Sequence, residues 1–219
     1  MPTEASTVNI LIIDDHPVYL DGISYILQSL FDQVNLLQAN NSADAIKLVS
    51  ERIDIDWIFL DYQLPDSTGT QLLSRFNALL ITAPVIMMSG YDDPALIVEA
   101  LELGASGFIH KAFGRNTFAE CLNQVQAGHT YLPPDLHLKV EHYRNTALRA
   151  RDSIKAQLSG RRQEILVLMS EGYTNGEMAS ALGIAEATVK THVSALLSIF
   201  DVDNRSHCIA EARKMGLLK

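Results

Sequence analysis

Short apolar runs alternate with helix-period segments over the first 130 residues. The runs contain few polar residues, which is typical of strands buried on both faces of a parallel sheet, and they cover 9–14, 34–39, 56–61, 84–89 and 106–110. Between them, apolar residues recur at helical spacing near 17–31, 43–51, 69–81, 93–103 and 115–127. Five repeats of strand and helix predict a doubly wound α/β domain, with a five-stranded parallel sheet and right-handed crossovers.

The pattern changes after residue 128, where Gly128-His129 and Pro133-Pro134 interrupt it. We therefore predict a first domain over 8–128 and interpret the polar stretch 129–157 as a linker with one helix, a flexible segment being the alternative. The rest, 158–219, is predicted to be an all-helical domain. Its four helices fall near 159–171, 174–182, 186–200 and 204–215, with Ser159 and Asn204 as caps and Gly216 as a stop signal.

Two helices of this second domain have the pattern of a helix-turn-helix. Thr174 and Glu177 have the spacing of a capping box, and Gly183 marks a tight turn. The next helix has an apolar face formed by Val189, Val193, Leu196, Leu197 and Phe200. Its other face is polar and consists of Thr188, Lys190, Thr191, Ser194 and Ser198. Such a helix can enter a DNA major groove, but the spacing alone fits an ordinary helical hairpin equally well.

Polar side chains also collect at one edge of the predicted sheet. Asp14 and Asp15 end the first strand, Asp61 ends the third, Ser89 ends the fourth, and Lys111 follows the fifth. In an open parallel sheet these strand ends meet, and three crowded carboxylates need a cation. An all-oxygen ligand set favours Mg²⁺, and the added ammonium and hydroxyl suit phosphoryl transfer to a carboxylate. Taken singly, each of these residues is more often a cap, a turn former or a solvated side chain. Their joint placement at one edge favours a functional site.

Charge is divided unevenly along the chain. Residues 1–130 hold 5 Lys/Arg and 16 Asp/Glu, a net charge of −11, whereas 131–153 hold 4 and 3 and 154–219 hold 8 and 7. This asymmetry favours two domains with different partners. A net charge of +1 in the last segment is low for a protein that binds DNA tightly as a monomer, and it is compatible with weak half-site binding by a dimer.

The remaining composition indicates an ordinary globular protein, with 20% charged and 47% apolar residues. Cys121 and Cys208 lie far apart and are predicted to be small buried hydrophobes in a reducing compartment. The first residues have no basic segment typical of a signal peptide, and the apolar run 78–88 is too short to cross a bilayer. We therefore expect a cytoplasmic protein with no membrane partner.

Four motifs of the first domain resemble the receiver domain of two-component response regulators, a flavodoxin-like fold. They are Leu11-Ile-Ile-Asp-Asp-His-Pro17, Leu60-Asp-Tyr-Gln-Leu-Pro65 with Gly69, Met87-Met-Ser-Gly90 and Gly104-Ala-Ser-Gly-Phe-Ile-His-Lys111. The resemblance implies that Asp61 is the phosphoacceptor, that Asp14 and Asp15 hold Mg²⁺, and that Gln63 adds a backbone carbonyl. It also implies that Ser89 and Lys111 bind the phosphoryl oxygens and that Phe108 turns inward on activation.

The second domain resembles the LuxR-type helix-turn-helix domain, from Leu158-Ser-Gly-Arg-Arg-Gln-Glu-Ile165 through Asn204-Arg-Ser206 to Gly216-Leu-Leu218. The whole chain is thus similar to NarL/FixJ-type response regulators, which implies a sensor histidine kinase, double-stranded DNA and a homodimer formed on phosphorylation as partners. The predicted DNA-binding residues are Thr174, Thr188, Lys190, Thr191, His192 and Ser194. Ala185 departs from the family by replacing a Ser-type cap, and Asp203 stands where the family commonly has a basic or neutral residue. In the region where the family often has further basic residues, this chain has Val193, Ser194, Ile199 and Asp201.

Two other functions compete with a phosphorylation-switched transcription factor. A Mg²⁺-dependent phosphohydrolase could use Asp61 as its nucleophile, but it would need a second acid nearby, and Gln63 cannot serve. An interaction module could bind protein or RNA through its tail. We expect no enzyme activity beyond self-phosphorylation and slow self-dephosphorylation.

Overall fold

The computed structural model describes residues 7–51 and 54–218. The residues at the very start of the chain, on which the expectation of no signal peptide depends, lie outside this range. The chain divides into two compact units, Met1–Tyr143 and Arg144–Lys219. Among the helices of the described residues, none combines the length and the apolar character that a membrane span requires.

The first unit contains a five-stranded sheet of order β2-β1-β3-β4-β5, in which every pair of neighbouring strands is parallel. The strands are β1 (Val8–Ile13), β2 (Val34–Ala39), β3 (Trp57–Asp61), β4 (Val85–Ser89) and β5 (Gly107–His110). The helices between and after them are α1 (Pro17–Gln28), α2 (Ser42–Glu51), α3 (Gly69–Ala78), α4 (Pro94–Glu102) and α5 (Arg115–Gln126). The predicted doubly wound fold is confirmed.

Three details of this unit differ from the sequence prediction. Helix α1 ends at Gln28 instead of residue 31. Helix α3 ends at Ala78 instead of residue 81, because Leu80 has a φ of 56° and the N–H of Ile81 bonds back to the carbonyl of Phe76. Strand β2 is only half-buried along most of its length, although burial on both faces was expected. It lies at the edge of the sheet, where a strand has a neighbour on one side only.

The structure places one long helix, α6 (Pro134–Gln157), across the predicted linker. Leu136 and Val140 are buried in the same cluster as the sheet residues, and Tyr131 forms a parallel bridge to Gly107 of β5. The first compact unit therefore extends to Tyr143, beyond the predicted domain end at residue 128, because apolar side chains after that point complete its core.

The second unit is helical and contains α7 (Gly160–Ser170), α8 (Asn175–Leu182), α9 (Glu186–Ile199) and α10 (Arg205–Lys214). Its core includes Ile165, Met178, Val189 and Leu196, each fully buried. Gly183 and Gly216 both have a φ of 64°, a left-handed conformation that ends α8 and α10 where the sequence predicted a stop. The side chain of Asn204 caps α10 as expected, whereas Ser159 makes no side-chain cap bond.

Both cysteines are fully buried and free, as predicted. Burial raises the pKa of the Cys121 thiol to about 12 and that of Cys208 to about 11. Both side chains therefore remain neutral thiols at physiological pH and pack as small apolar groups.

Candidate functional site

Two buried carboxylates meet at the carboxyl edge of the sheet. Asp14 follows β1 and Asp61 ends β3, and they are 0% and 3% exposed. The Nζ atom of Lys111 lies 2.6 Å from Oδ2 of Asp14 and 2.7 Å from Oδ2 of Asp61. One ammonium group thus bridges two carboxylates that would otherwise repel each other in a poorly solvated place.

Asp15 and His16 complete the cluster on its exposed side. The Nδ1 atom of His16 lies 2.9 Å from Oδ1 of Asp15 and 3.0 Å from Oδ1 of Asp14. Ligand atoms of Asp14, Asp15, His16 and Asp61 all lie within 4.8 Å of one another. Sequence reasoning missed His16 as a site residue, although its position directly after two strand-end carboxylates was a signal for it.

The electrostatics of Asp61 reflect this crowding. Burial raises the pKa of its carboxyl above the ordinary value, and the nearby charge of Asp14 adds to the rise. A hydrogen bond from Lys111, its positive charge and a backbone hydrogen bond from Gln63 oppose this rise. A second positive charge at the cluster would therefore favour the ionised, nucleophilic form of Asp61.

The donor set fits a hard divalent cation. Oδ2 of Asp14 and Oδ2 of Asp61 are buried, and the ammonium of Lys111 is their close charged partner, while Nδ1 of His16 lies 4.0 Å from Oδ2 of Asp61. Together with the carboxylate of Asp15 they offer oxygen ligands of the kind that Mg²⁺ prefers. Gln63 lies in the loop after Asp61, and the ligand role of its carbonyl stays a prediction.

Gly69 allows the β3–α3 loop to close against the site. Its N–H donates to the carbonyl of Tyr62 at 2.7 Å. A Cβ atom on Gly69 would lie 2.4 Å from the carbonyl oxygen of Asp61. Only a residue without a side chain permits this approach while Asp61 keeps its place at the end of β3.

Ser89 is the last residue of β4 and is 1% exposed. Its hydroxyl oxygen accepts a hydrogen bond from the N–H of Tyr91 at 3.0 Å, and its carbonyl accepts one from the N–H of Lys111 at 2.7 Å. Ser89 thus connects the end of β4 and the loop that follows it to Lys111, which holds the two carboxylates.

His110 joins the two loops beside Ser89. The N–H of Ala112 donates to Nδ1 of His110 at 3.1 Å, so the ring proton resides on Nε2, which donates to the carbonyl of Gly90 at 2.9 Å. The β4–α4 loop is therefore held to the β5–α5 loop through one imidazole.

Phe108 is already buried, with 1% of its surface exposed. It belongs to the same apolar cluster as Leu136 and Val140 of α6, and its N–H donates to the carbonyl of Tyr131 at 3.0 Å. In the conformation described, the ring occupies the buried, inward position. Its role as a switch residue stays a prediction.

An open cleft of about 680 Å³ lies next to the carboxylate cluster. Its walls combine polar site residues with apolar residues of α1 and α5; they include His16, Tyr19, Ile23, Asp61, Ser89, Lys111 and Phe118. The cleft therefore opens to solvent beside Asp61.

The second set of predicted residues lies around α8 and α9. Thr174 and Glu177 form the predicted capping box at the start of α8, and Ala185 provides no side-chain cap for α9. On α9, Val189 and Leu196 are buried, which confirms the apolar face. The predicted DNA-binding side chains lie on the surface; His192 is half-buried, and the others are exposed, namely Thr174, Thr188, Lys190, Thr191 and Ser194.

Two of these side chains already have partners within α9. The Nζ atom of Lys190 lies 3.0 Å from Oε1 of Glu186, and the hydroxyl of Thr191 donates to the carbonyl of Ala187 at 3.1 Å. The helix therefore presents small polar groups and one cation that is shared with a carboxylate.

Comparison with known proteins identifies both units. Residues 10–123 match the response regulator receiver domain, and residues 156–212 match the luxR family of bacterial regulatory proteins. The chain belongs to the response regulators. This response regulator combines a receiver domain with a LuxR-type helix-turn-helix domain, and its relatives are regulators of transcription. It is a transcriptional regulator.

Relatives of this response regulator extend over nearly its whole length. It is 33% identical to the glycerol metabolism activator of Pseudomonas putida over 207 residues, which span 93% of this chain and 94% of that protein. It is 30% identical to the transcriptional regulatory protein LnrK of Bacillus subtilis over 217 residues, which span 96% and 98% of the two chains.

Solved structures show the same architecture. The response regulator ChrA of a heme-sensing two-component system matches with a TM-score of 0.52 and 29% identity, covering 96% of this chain and 98% of that one. RcsB in its DNA complex matches with a TM-score of 0.57 and 22% identity, covering 94% and 97%. The latter similarity supports the fold alone.

Proposed function

We propose that Asp61 accepts a phosphoryl group from a sensor histidine kinase and that this modification switches dimerisation and DNA binding. The observation that carries the proposal is the buried Asp61 carboxylate, which Lys111 bridges to Asp14 at 2.6–2.7 Å beside an open cleft. Asp14, Asp15 and Asp61, with the carbonyl of Gln63, would hold Mg²⁺, which supplies charge neutralisation for the carboxylates and the phosphoryl oxygens.

The chemistry follows from the position of each group. An oxygen of the Asp61 carboxylate attacks phosphorus, an O–P bond forms, and the N–P bond of the kinase's phosphohistidine breaks. Lys111 and Ser89 bind the transferred oxygens, because the ammonium already touches Asp61 and the hydroxyl oxygen of Ser89 has its own proton left to donate. Catalysis therefore consists of positioning and charge neutralisation.

The switch begins at Ser89. When Asp61 carries a phosphoryl group, the Ser89 hydroxyl gains a charged acceptor, and the bonded N–H of Tyr91 moves with it. The same loop contains Asp92, which pairs with Lys139 of α6. A shift of this loop therefore acts on α6 and on the cluster that contains Phe108.

The output is binding to double-stranded DNA by a homodimer, with α9 in the major groove. Lys190, Thr191 and Ser194 would face the base edges, and Thr174, Thr188 and His192 would lie nearer the phosphates. RcsB, which shares this fold, has been solved as a complex with DNA. Since the partner is DNA, we place the action of the protein in the cytoplasm.

The phosphoacceptor is tested with acetyl phosphate and Mg²⁺, followed by intact-mass measurement. Wild type should gain one phosphoryl adduct, and Asp61→Asn should gain none. Asp66→Asn, a change in the same loop, is the matched control and should label like wild type. Equal labelling of Asp61→Asn and wild type would show that the acceptor is another residue.

Dimeric binding is tested on a duplex that the phosphorylated protein selects from a random-sequence pool. Two half-sites should lie about one helical turn apart, ~10 bp. Insertion of about five base pairs places the second half-site on the opposite face, so affinity should fall sharply because the second contact is no longer intramolecular. Equal affinity for both duplexes would contradict a dimer on two half-sites.

A further inference from the structure

Helix α9 and its neighbours offer few free cations. Lys190 pairs with Glu186 at 3.0 Å, and Arg161 donates to Oε2 of Glu164 at 2.8 Å. Arg205 is used inside the unit, where its guanidinium donates to the carbonyl of Met169 at 3.1 Å. These cations are committed to partners within the protein, yet DNA affinity depends chiefly on phosphate neutralisation.

The free cations lie mainly on another element. Within the described part of the second unit, five cationic side chains have no hydrogen bond or ion pair to the protein; they are Arg144, Arg149, Arg151, Lys155 and Arg213. The first four belong to the second half of α6, which precedes the LuxR-family match beginning at residue 156. This half-helix, 144–157, has four Lys/Arg and one Asp, a net charge of +3.

Three of these cations form a stripe along α6. Arg144, Arg151 and Lys155 are seven and four residues apart, so helical geometry places them within about 40° of one another around the axis and over ~16 Å along it. Arg149 lies roughly 140° away from Arg144 on the same helix. We call Arg144, Arg151 and Lys155 the basic stripe.

The basic stripe is accessible and belongs to the compact helix-turn-helix unit. Arg144 and Lys155 are exposed and Arg151 is half-buried. Nη2 of Arg151 lies 3.8 Å from the position of a Cβ atom on Gly216, the residue that ends α10. Arg151, in the middle of the stripe, therefore packs beside the end of α10, while Arg144 and Lys155 face solvent.

We propose that the basic stripe binds phosphates of duplex DNA, as a sequence-independent contact in addition to α9. The inference rests on the proposed DNA-binding function and extends it to a segment outside the family match. Three aligned cations without internal partners complement a regular row of phosphates, whereas α9 supplies one cation that is shared with Glu186. The acidic receiver domain is the competing partner for the stripe, and the experiment distinguishes it.

The test uses the phosphorylated full chain and a mixed-sequence duplex of about 30 base pairs, with affinity measured between about 50 and 200 mM salt. The variant combines Arg144→Gln, Arg151→Gln and Lys155→Gln. The slope of log affinity against log salt is negative, and loss of three phosphate contacts reduces its magnitude by ~2.7 per bound chain. Wild-type affinity should therefore fall ~40-fold more than that of the variant across this salt range. Arg149→Gln, on another side of α6, is the matched control and should lose much less slope.

A charge-conserving variant guards against misfolding as an explanation. Arg144→Lys with Arg151→Lys should keep the wild-type slope, because phosphate neutralisation needs only the charge. If the triple variant keeps the wild-type slope, or if Arg149→Gln lowers it just as much per charge, the stripe proposal is overturned. Tighter DNA binding by the triple variant would assign the stripe to the acidic receiver and would also overturn it. A wild type that binds no duplex would instead refute the proposed function itself.

Discussion

Gly69→Ala places a methyl carbon where the backbone leaves no room. The new Cβ atom would lie 2.4 Å from the carbonyl oxygen of Asp61, 2.8 Å from Cε of Met87 and 3.0 Å from Cα of Tyr62. The Met87 methyl can move aside, but the carbonyl belongs to β3, which pairs with β1 and β4. The strand end must therefore shift by at least 0.6 Å, the difference between 2.4 Å and 3.0 Å.

The cost follows from this displacement. Overpacking of a tightly packed site destabilises by about 1–3 kcal/mol, and for a domain of this size each kcal/mol lowers the melting temperature by about 4 °C. We expect the receiver transition of Gly69→Ala to lie ~4–12 °C below that of wild type. Since the shift carries the Asp61 carboxylate with it, phosphorylation by acetyl phosphate should slow by about tenfold or more.

Calorimetry and intact-mass kinetics measure the two effects. Gly22→Ala in α1 is the matched control, because a Cβ atom there meets nothing within 4 Å. It should stabilise the domain by about 1 kcal/mol through helix propensity. If Gly69→Ala melts at the wild-type temperature and labels at the wild-type rate, the close approach at Gly69 does not constrain the end of β3.

Three further changes test other parts of the structure. Leu80 is 83% exposed with a φ of 56°, so Leu80→Gly should raise stability by up to about 1 kcal/mol. Gly104→Ala, at a φ of 93°, should lower stability. An unchanged melting temperature for Leu80→Gly would show that no strain is stored at this residue. Hydrogen bonds from the hydroxyl and N–H of Ser42 lower the pKa of Asp66, whose carboxylate caps the start of α2. The stability that this cap contributes is therefore fully present at a pH above the ordinary pKa of an Asp side chain, and it is lost as the pH falls through the lowered pKa of Asp66. Asp66→Ala should therefore cost about 1 kcal/mol at neutral pH and progressively less in acid, and a thermal-melt difference that is independent of pH would contradict this. Lys139→Glu should break the pair with Asp92 and change the DNA affinity of the unphosphorylated protein by less than about fivefold. Adding Asp92→Lys should restore the wild-type DNA affinity. If the double variant does not recover that affinity, the pair does not link the loop to the helix.

The sheet and the helix-turn-helix were predictable because their signals are local. Apolar runs and helix-period segments predicted the strands and helices of the sheet domain and of the helix-turn-helix domain to within a few residues, since burial in an α/β unit leaves a periodic record in the sequence. Strand-end polarity also predicted which carboxylates would meet, because parallel strands share one carboxyl edge.

Contacts between distant segments could not be predicted from local sequence patterns. Nothing in the sequence pattern showed that Leu136 and Val140 complete the receiver core, that Tyr131 bridges Gly107, or that Phe108 is already buried. Likewise, Leu80 carries no local stop signal, and its left-handed conformation depends on the bond from Ile81 back to Phe76.

The sequence by itself therefore determined the fold class, the two domains and the residue types of the acidic edge, because periodicity and strand order suffice for these. Only the tertiary structure decided how the groups pair: Lys111 bridges Asp14 and Asp61, His16 joins the cluster, and Glu186 takes the single cation of α9. The physical reason is that periodicity reports which side of an element is buried, whereas ion pairs and hydrogen bonds depend on distances between side chains that the folded backbone alone sets.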